Sequence, residues 1–328
     1  MTLLITEEDV RALLSTETAI PVIEESFRKA GLRTAENIPR LHLFTKKGYM
    51  KIGPGALTDE QAMGFKVVAN AGASTGLNLL FSMETGELLS ILQSSAISLY
   101  RTCAVAAVGI KYLSPPDADT VGLYGAGRQA ESHLLAASLV RKIRKAFVYT
   151  RTPANREAFA RKMTEQLGFD VVAVDAPEKV AQSAAIVMAV TNTETPVVFG
   201  KWFTKPCLVL SAGANHWYER ELDEKIIEMA KLVVVDDREH AKIECGDLKY
   251  AVDHGVLNWE QVENMGDIVV GRVPVPDFSK HTIVFESQGL GIHDVAISVK
   301  AYQLAKAKGL GQDLPITGKA DKKQVVRN

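Results

Sequence analysis

The sequence predicts an α/β protein with a doubly wound parallel-sheet domain over residues 117–295 and a smaller α+β domain built from residues 1–116 with 296–328. Three observations carry this reading. Residues 119–152 run strand, glycine turn, helix, strand. Strand-like and helix-like segments keep alternating beyond them, the pattern of a parallel sheet covered by helices on both faces. The chain before Pro115-Pro116 differs in texture, with short strands separated by Gly, Pro, Asn and Thr.

In chain order, Thr6-Glu7-Glu8-Asp9 reads as a helix start, because a threonine cap and acids suit the free N–H groups there. Val10, Leu13 and Leu14 form its apolar face. A second helix follows from about Thr18, with Ile20, Ile23 and Phe27 as its buried stripe. Arg40–Phe44, Tyr49–Ile52, Gly64–Val68 and Leu77–Phe81 read as strands, and Glu84-Thr85-Gly86-Glu87 as the hairpin turn into Leu88–Leu92. A long helix rich in Ala and Val runs from Ser94 or Ser95 to about Leu113, where Pro115-Pro116 breaks it and marks the domain boundary.

The next unit holds the strongest motif. Val121, Leu123 and Tyr124 lead into Gly125-Ala126-Gly127-Arg128-Gln129-Ala130, a G-x-G-x-x-A turn. Gly125 permits the tight turn, Gly127 lets backbone approach a pyrophosphate, and small Ala130 lets the new helix pack close to the strand. Phosphates would sit on the helix N-terminus, where free N–H groups and the dipole favour anions. Leu134, Leu135 and Leu139 keep a helical period, the basic cluster Arg141–Lys145 closes the helix, and Ala146–Tyr149 is a second buried strand. The pattern points to a dinucleotide; the alternative is a glycine turn in an ordinary βαβ unit.

The second strand ends in Thr150-Arg151-Thr152, without the acid that would hold the ribose 2′-hydroxyl of NAD. A guanidinium flanked by two hydroxyls suits a 2′-phosphate, which favours NADP(H) and leaves NAD(H) possible. The alternative is a solvated surface Arg151. Alternation continues through a helix at 155–167, strands at 170–174 and 185–190 around a short helix, and strands at 207–211, 232–235 and 282–285. A final helix over about Asp294–Lys308 can pack back on the first domain, which would make that domain discontinuous.

Composition limits the function classes. The 328 residues suffice for two domains, and 47% hydrophobic with 23% charged residues is ordinary for a globular chain. A formal net charge of -1 gives no electrostatic case for nucleic acid or an acidic membrane surface. No apolar run is expected to reach membrane length, and MTLLITEEDV lacks a signal core. Cys103, Cys207 and Cys245 form neither a disulfide framework nor a metal signature, and the histidines show no ligand spacing. A cytoplasmic protein without a metal is therefore expected. Thr317–Asn328 read as a polar, basic, frayed tail.

Three cations stand where apolar or neutral residues would be usual. Lys66 is flanked by Phe65 and Val67, Arg101 lies inside the apolar helix, and Arg40 opens a strand after Pro39. A buried cation asks for an anion, and a substrate carboxylate is one answer; a structural salt bridge or a snorkelling side chain is the other. Strand ends are where an open α/β sheet binds ligands. Thr191-Asn192, Gly213 to His216, and Glu286 to Asp294 end three strands, the last with Gly289 and Gly291 where a nicotinamide could approach backbone. His216 and His293 are read as polar loop groups before acid/base groups.

Together these residues resemble the ornithine cyclodeaminase/mu-crystallin family from about residue 3 to 308. The resemblance rests on Pro39-Arg40, the Lys66 strand, Thr85-Gly86, Arg101-Thr102, the glycine turn, Val190-Thr191, Glu221-Leu222-Asp223 after Gly213, and Ser287-x-Gly289 followed by Asp294. It implies a homodimer whose first domain carries the dimer interface and substrate pocket and whose second, a Rossmann domain, binds NAD(P). Arg40, Lys66 and Arg101 would hold the carboxylate of a small substrate, and Lys66 would also transfer a proton. Thr102, Gly125, Ala126, Gly127, Arg128, Gln129, Thr150, Arg151, Thr152, Thr191, Asn192, Gly213, Ser287 and Gly289 are the expected cofactor-binding residues.

Departures from the family pattern are informative. Asn215 stands where cyclodeaminases and alanine dehydrogenases carry an Asp; an amide cannot act as a general base, although it can orient an imine or a water. Gly53-Pro54-Gly55 replaces the usual Met-Pro and is expected to enlarge the substrate pocket. Ala184-Ala185 replaces a common acid, and Glu286 a common lysine. The expected activity is NADP(H)-dependent hydride transfer between nicotinamide and an imino acid/amino acid pair, with Asn215 beside the imine. The alternatives are an ornithine cyclodeaminase-type lyase with catalytic NAD, or a non-catalytic NADPH-dependent binder of a small ligand.

Overall fold

The structure, a computed structural model, describes residues 1–316, so the expected C-terminal tail lies outside the described residues. Two eight-stranded sheets organise the chain. The first runs in space Gln312–Leu314, Thr2–Ile5, Leu88–Gln93, Ser74–Ser82, Ala62–Asn70, Tyr49–Leu57, Ala35–Asn37, with Leu41–Phe44 also paired to Tyr49–Leu57. Strand Thr2–Ile5, not foreseen, pairs parallel with Leu88–Gln93. Four residues are too few to show alternation against background. The first helix starts as expected, with Thr6 and Asp9 forming a reciprocal capping box. The second starts earlier, at Thr16, because Ser15 caps it.

Register decides which side chains share a face. His42 lies opposite Lys51, Gly53 opposite Lys66, and Lys66 opposite Asn78. Since side chains alternate along a strand, these residues all point to the inner face. Leu41, Leu43, Met63, Phe65 and Phe81 alternate with them and point outward; Leu41 and Leu43 are 60% and 59% exposed.

The second sheet is wholly parallel, in the order Asp170–Ala173, Lys145–Tyr149, Thr120–Tyr124, Ile186–Ala189, Leu208–Ser211, Thr282–Glu286, Ala230–Val235, Val262–Asn264. The order in which successive strands are added to the sheet reverses between Thr120–Tyr124 and Ile186–Ala189. That reversal opens a crevice at the strands' carboxyl ends. The central strands are buried on both faces, which explains their continuous apolar runs.

Helix Ser95–Leu113 is long and apolar enough to cross a bilayer by length and composition, which corrects the reading that no run reaches that length. In the fold it is a core helix, buried along Cys103 to Ile110. Arg141 does not simply close its own helix. It crosses to the end of this one and donates to the carbonyls of Ile110 at 2.9 Å, Lys111 at 2.8 Å and Ser114 at 3.0 Å, gathering the last turn of that helix.

The last helix, Gly291–Lys308, begins three residues before the expected Asp294 and packs on strands Tyr49–Leu57 and Ala62–Asn70 and on helix Thr16–Leu32. The glycines before it in space explain the close approach: a Cβ on Gly55 would lie 2.5 Å from the Ile292 nitrogen. Gly55 therefore serves packing, and the expected pocket enlargement does not occur there. Gly53 does face the cleft, against the Arg40 side chain.

Candidate functional site

The cations converge. Arg40, Lys66 and Arg101 line one cleft between the inner face of the first sheet and the glycine turn's domain, and Lys51 joins them. Lys66 donates to Ser98 Oγ, and its Nζ lies 3.7 Å from Asp294 Oδ1. Arg101 Nε lies 3.4 Å from the same oxygen yet is buried without a hydrogen-bond partner. Arg40 pairs with Glu244 at 3.1 Å and donates to the carbonyls of Gln288 and Gly289. Burial, with Arg101 and Arg40 nearby, outweighs the opposing pull of Asp294 and lowers Lys66 to about 8. Burial and Arg40 lower Lys51 to about 8 as well. Burial pushes the carboxyl groups up, but the cations prevail: Asp294 is held below its ordinary value, and Glu244 falls to about 2.

The dinucleotide end is built on the glycine turn. Gly125 adopts φ +112°, and a Cβ there would lie 2.7 Å from the Val190 carbonyl, so only glycine fits. Gly127 caps helix Arg128–Val140 without a side-chain bond, and a Cβ there would meet nothing within 4 Å. Open space over an uncapped helix start is what a pyrophosphate requires, so these residues fit the expected nucleotide. Ala130 is fully buried against the strand side. Thr102 and Gln129 line the cleft, with the Thr102 hydroxyl donating to Ser98 O at 2.7 Å.

Other expected cofactor residues have structural partners. Buried Glu221 accepts from the Thr191 amide and hydroxyl, the Ser211 hydroxyl, and the Gly213 and Ala214 amides. It ties two strand tips together. Asp236 does the same for the third tip, accepting from Ser287 Oγ at 3.0 Å and the Gly289 amide at 2.6 Å. Gly289, at φ +75°, is filled from the other side than expected: a Cβ would lie 1.9 Å from Arg101 Nη1. The Arg101 guanidinium occupies that space. Asn192 is exposed beyond the cleft lining, as are Arg151 and Thr152 at the end of Lys145–Tyr149. Arg156 joins them there, donating to the Thr150 carbonyl at 3.1 Å.

His293 is a core residue, buried against Phe27 and lowered by burial to about 3, hence neutral. His216 packs among Tyr49, Tyr218 and Glu219. Asn215 is engaged: its Oδ1 accepts from Lys51 Nζ at 2.9 Å, and its Nδ2 donates to Gly213 O at 3.2 Å. Lys51 was missed, although it shows the signal that marked Lys66, a cation between apolar residues of a strand. Glu244 was hidden in an ordinary amphipathic helix, where it also accepts from His42 and His240.

A parallel dinucleotide fold whose phosphate turn opens on a cleft of buried cations defines a nicotinamide-nucleotide-dependent oxidoreductase. The chain belongs to the ornithine cyclodeaminase/mu-crystallin family, whose model matches residues 1–309. It is 29% identical to the alanine dehydrogenase of Archaeoglobus fulgidus, over 95% of this chain and 98% of that protein. It is 25% identical to the iminosuccinate reductase of Paracoccus denitrificans, over 96% of this chain and 100% of that one. The structure of Thermococcus litoralis Δ1-pyrroline-2-carboxylate reductase in complex with NADH and L-proline superposes with a TM-score of 0.90 at 29% identity, covering 95% of this chain and 100% of that one. Like these relatives, the chain is an NAD(P)-dependent oxidoreductase acting on C–N bonds.

Proposed function

We propose that the protein reduces the C=N bond of an imino acid, or oxidises the matching amino acid, with Arg40, Arg101 and Lys66 holding the carboxylate. One observation carries this reading most: Arg101 and Lys66 line the same cleft with Arg40 and have one carboxylate, Asp294, between the two of them, and Lys66 is lowered to about 8. A guanidinium desolvated without a full set of partners suits a planar carboxylate. Clamping it removes orientational freedom of the α-carbon from the barrier.

A nicotinamide nucleotide held at the Gly125–Gly127 turn would supply or take the hydride. In reduction the hydride joins the imine carbon and the C=N π pair moves to nitrogen. Lys66 gives that nitrogen its proton, a task suited to a group near neutrality. Asn215, held by Lys51 and Gly213, presents an amide and no carboxylate, which disfavours the ammonia-releasing cyclodeaminase cycle.

Two finer readings complete the proposal. Exposed Arg151, with Thr150, Thr152 and neighbouring Arg156, favours the 2′-phosphate of NADP(H) over NAD(H). The outward apolar side chains of the first sheet, Leu41, Leu43, Met63 and Phe81 among them, suit a homodimer interface. The test is a Lys66→Met variant assayed by NAD(P)H absorbance against ketimine carboxylates and 2-oxo acids with ammonia. Turnover should be lost while nucleotide binding persists; wild-type rates would remove Lys66 from the mechanism.

A further inference from the structure

Resting on the imino-acid reading above, we infer that the substrate is dicarboxylic, its second acid group meeting Lys51. Four cations line the cleft, Arg40, Lys51, Lys66 and Arg101. Arg40 has Glu244 as its ion pair, and Lys66 and Arg101 share Asp294. Lys51 makes no salt bridge among the described residues; its near partner is the neutral Asn215 amide, with the Tyr49 ring 5.4 Å from its Nζ. Glu219 is close enough to favour its charge, but Glu219 is already bonded to the Asn215 amide and lies against His216. Counting Arg40 with Glu244, one of Lys66 and Arg101 with Asp294, and the remaining one against Asp236, whose charge acts on Arg40 and Arg101, leaves Lys51 as the cleft cation without an anion of its own.

A carboxylate clamped by Arg40, Lys66 and Arg101 leaves that charge on a side chain that is only 8% exposed, a cost that evolution of a monocarboxylate site has no reason to keep. Register also separates the two anion positions. Gly53 lies directly opposite Lys66, and Lys51 is two residues along the same strand on the same face, opposite Val68. Such diagonal neighbours stand roughly 7–8 Å apart at the backbone, a spacing that lets two cations engage different ends of a short dicarboxylate. Gly53 puts no side chain of its own between them, and the Arg40 side chain packs over it.

The experiment compares kcat/KM for ammonia-dependent reduction of oxaloacetate and 2-oxoglutarate with that of pyruvate and 2-oxobutanoate, in the wild type, Lys51→Met and Lys51→Arg. The wild type should prefer a dicarboxylate by on the order of 30-fold or more, the worth of one desolvated charge pair. Lys51→Met should collapse that ratio and Lys51→Arg should keep most of it. Equal use of both classes, or a preference that survives in Lys51→Met, overturns the inference while leaving the reductase reading intact. If no imine is reduced, the reductase reading fails; calorimetry of oxaloacetate against pyruvate binding then decides the Lys51 assignment, which a Lys51-independent or absent preference overturns.

Discussion

Asp294 is the single carboxylate that two cleft cations share, so Asp294→Asn perturbs the proton inventory of the site directly. Its Oδ1 lies 3.7 Å from Lys66 Nζ. At an effective dielectric constant of about 20, two unit charges at that separation interact by roughly 4 kcal/mol. Cleft water and relaxation leave roughly half, which at about 1.36 kcal/mol per pH unit lowers Lys66 by about 1.5 units. Lys66 titrates near 8 in the wild type, because burial and its arginine neighbours outweigh Asp294. In the reductive direction the protonated lysine is the active form, so kcat/KM falls as pH rises through that value. Asp294→Asn should move this limb to roughly pH 6.5. The assay is the pH profile of imine reduction, normalised to folded protein, because leaving two cations uncompensated also costs about 3–5 kcal/mol of stability. A limb that stays at the wild-type position in a folded variant would refute the coupling.

Other perturbations probe separate parts of the site. Gly289→Ala forces a Cβ onto Arg101 at a left-handed backbone position, so KM for the imine should rise on the order of 30-fold, with nucleotide affinity measured by fluorescence titration as the control. Arg151→Ala should narrow the NADPH-over-NADH preference by about tenfold or more in kcat/KM; an unchanged ratio would show that Arg151 is only solvated surface. Glu286 is buried beside Asp247 and Glu221, and burial raises its carboxyl well above the ordinary value. An acid raised on folding adds stability below its unfolded value and loses it as pH climbs. Glu286→Gln should therefore melt higher than wild type at pH 7, with the difference closing by about pH 4, in thermal scans across pH.

Much of the site was legible because a few residues break local pattern. Arg101 in an alanine-rich helix, Lys66 between Phe65 and Val67, and Gly125 in a strand-to-helix turn each violate what their element would otherwise contain. Lys51 violated it equally, but only the pairing of Leu41–Phe44 and Ala62–Asn70 with its strand shows that it faces inward. Pairing partners lie far apart in sequence, so register is not written locally. The same reason hid the work of Glu221 and Asp236, which act by gathering amides from different strand tips. Gly289 was legible as special, but a left-handed glycine says only that something approaches, and packing alone shows that Arg101 lies against it.

The most direct test of hydride transfer to a C=N carbon uses nicotinamide cofactor deuterated at C4 on the transferred face. The purified protein is incubated with this cofactor and the imino acid it turns over fastest, and the amino acid product is read by mass spectrometry and proton NMR. One deuterium at the α-carbon, with oxidised cofactor formed in equal amount, is the result the account predicts. Amino acid or ammonia formed with the cofactor unchanged and no deuterium at that carbon would contradict it.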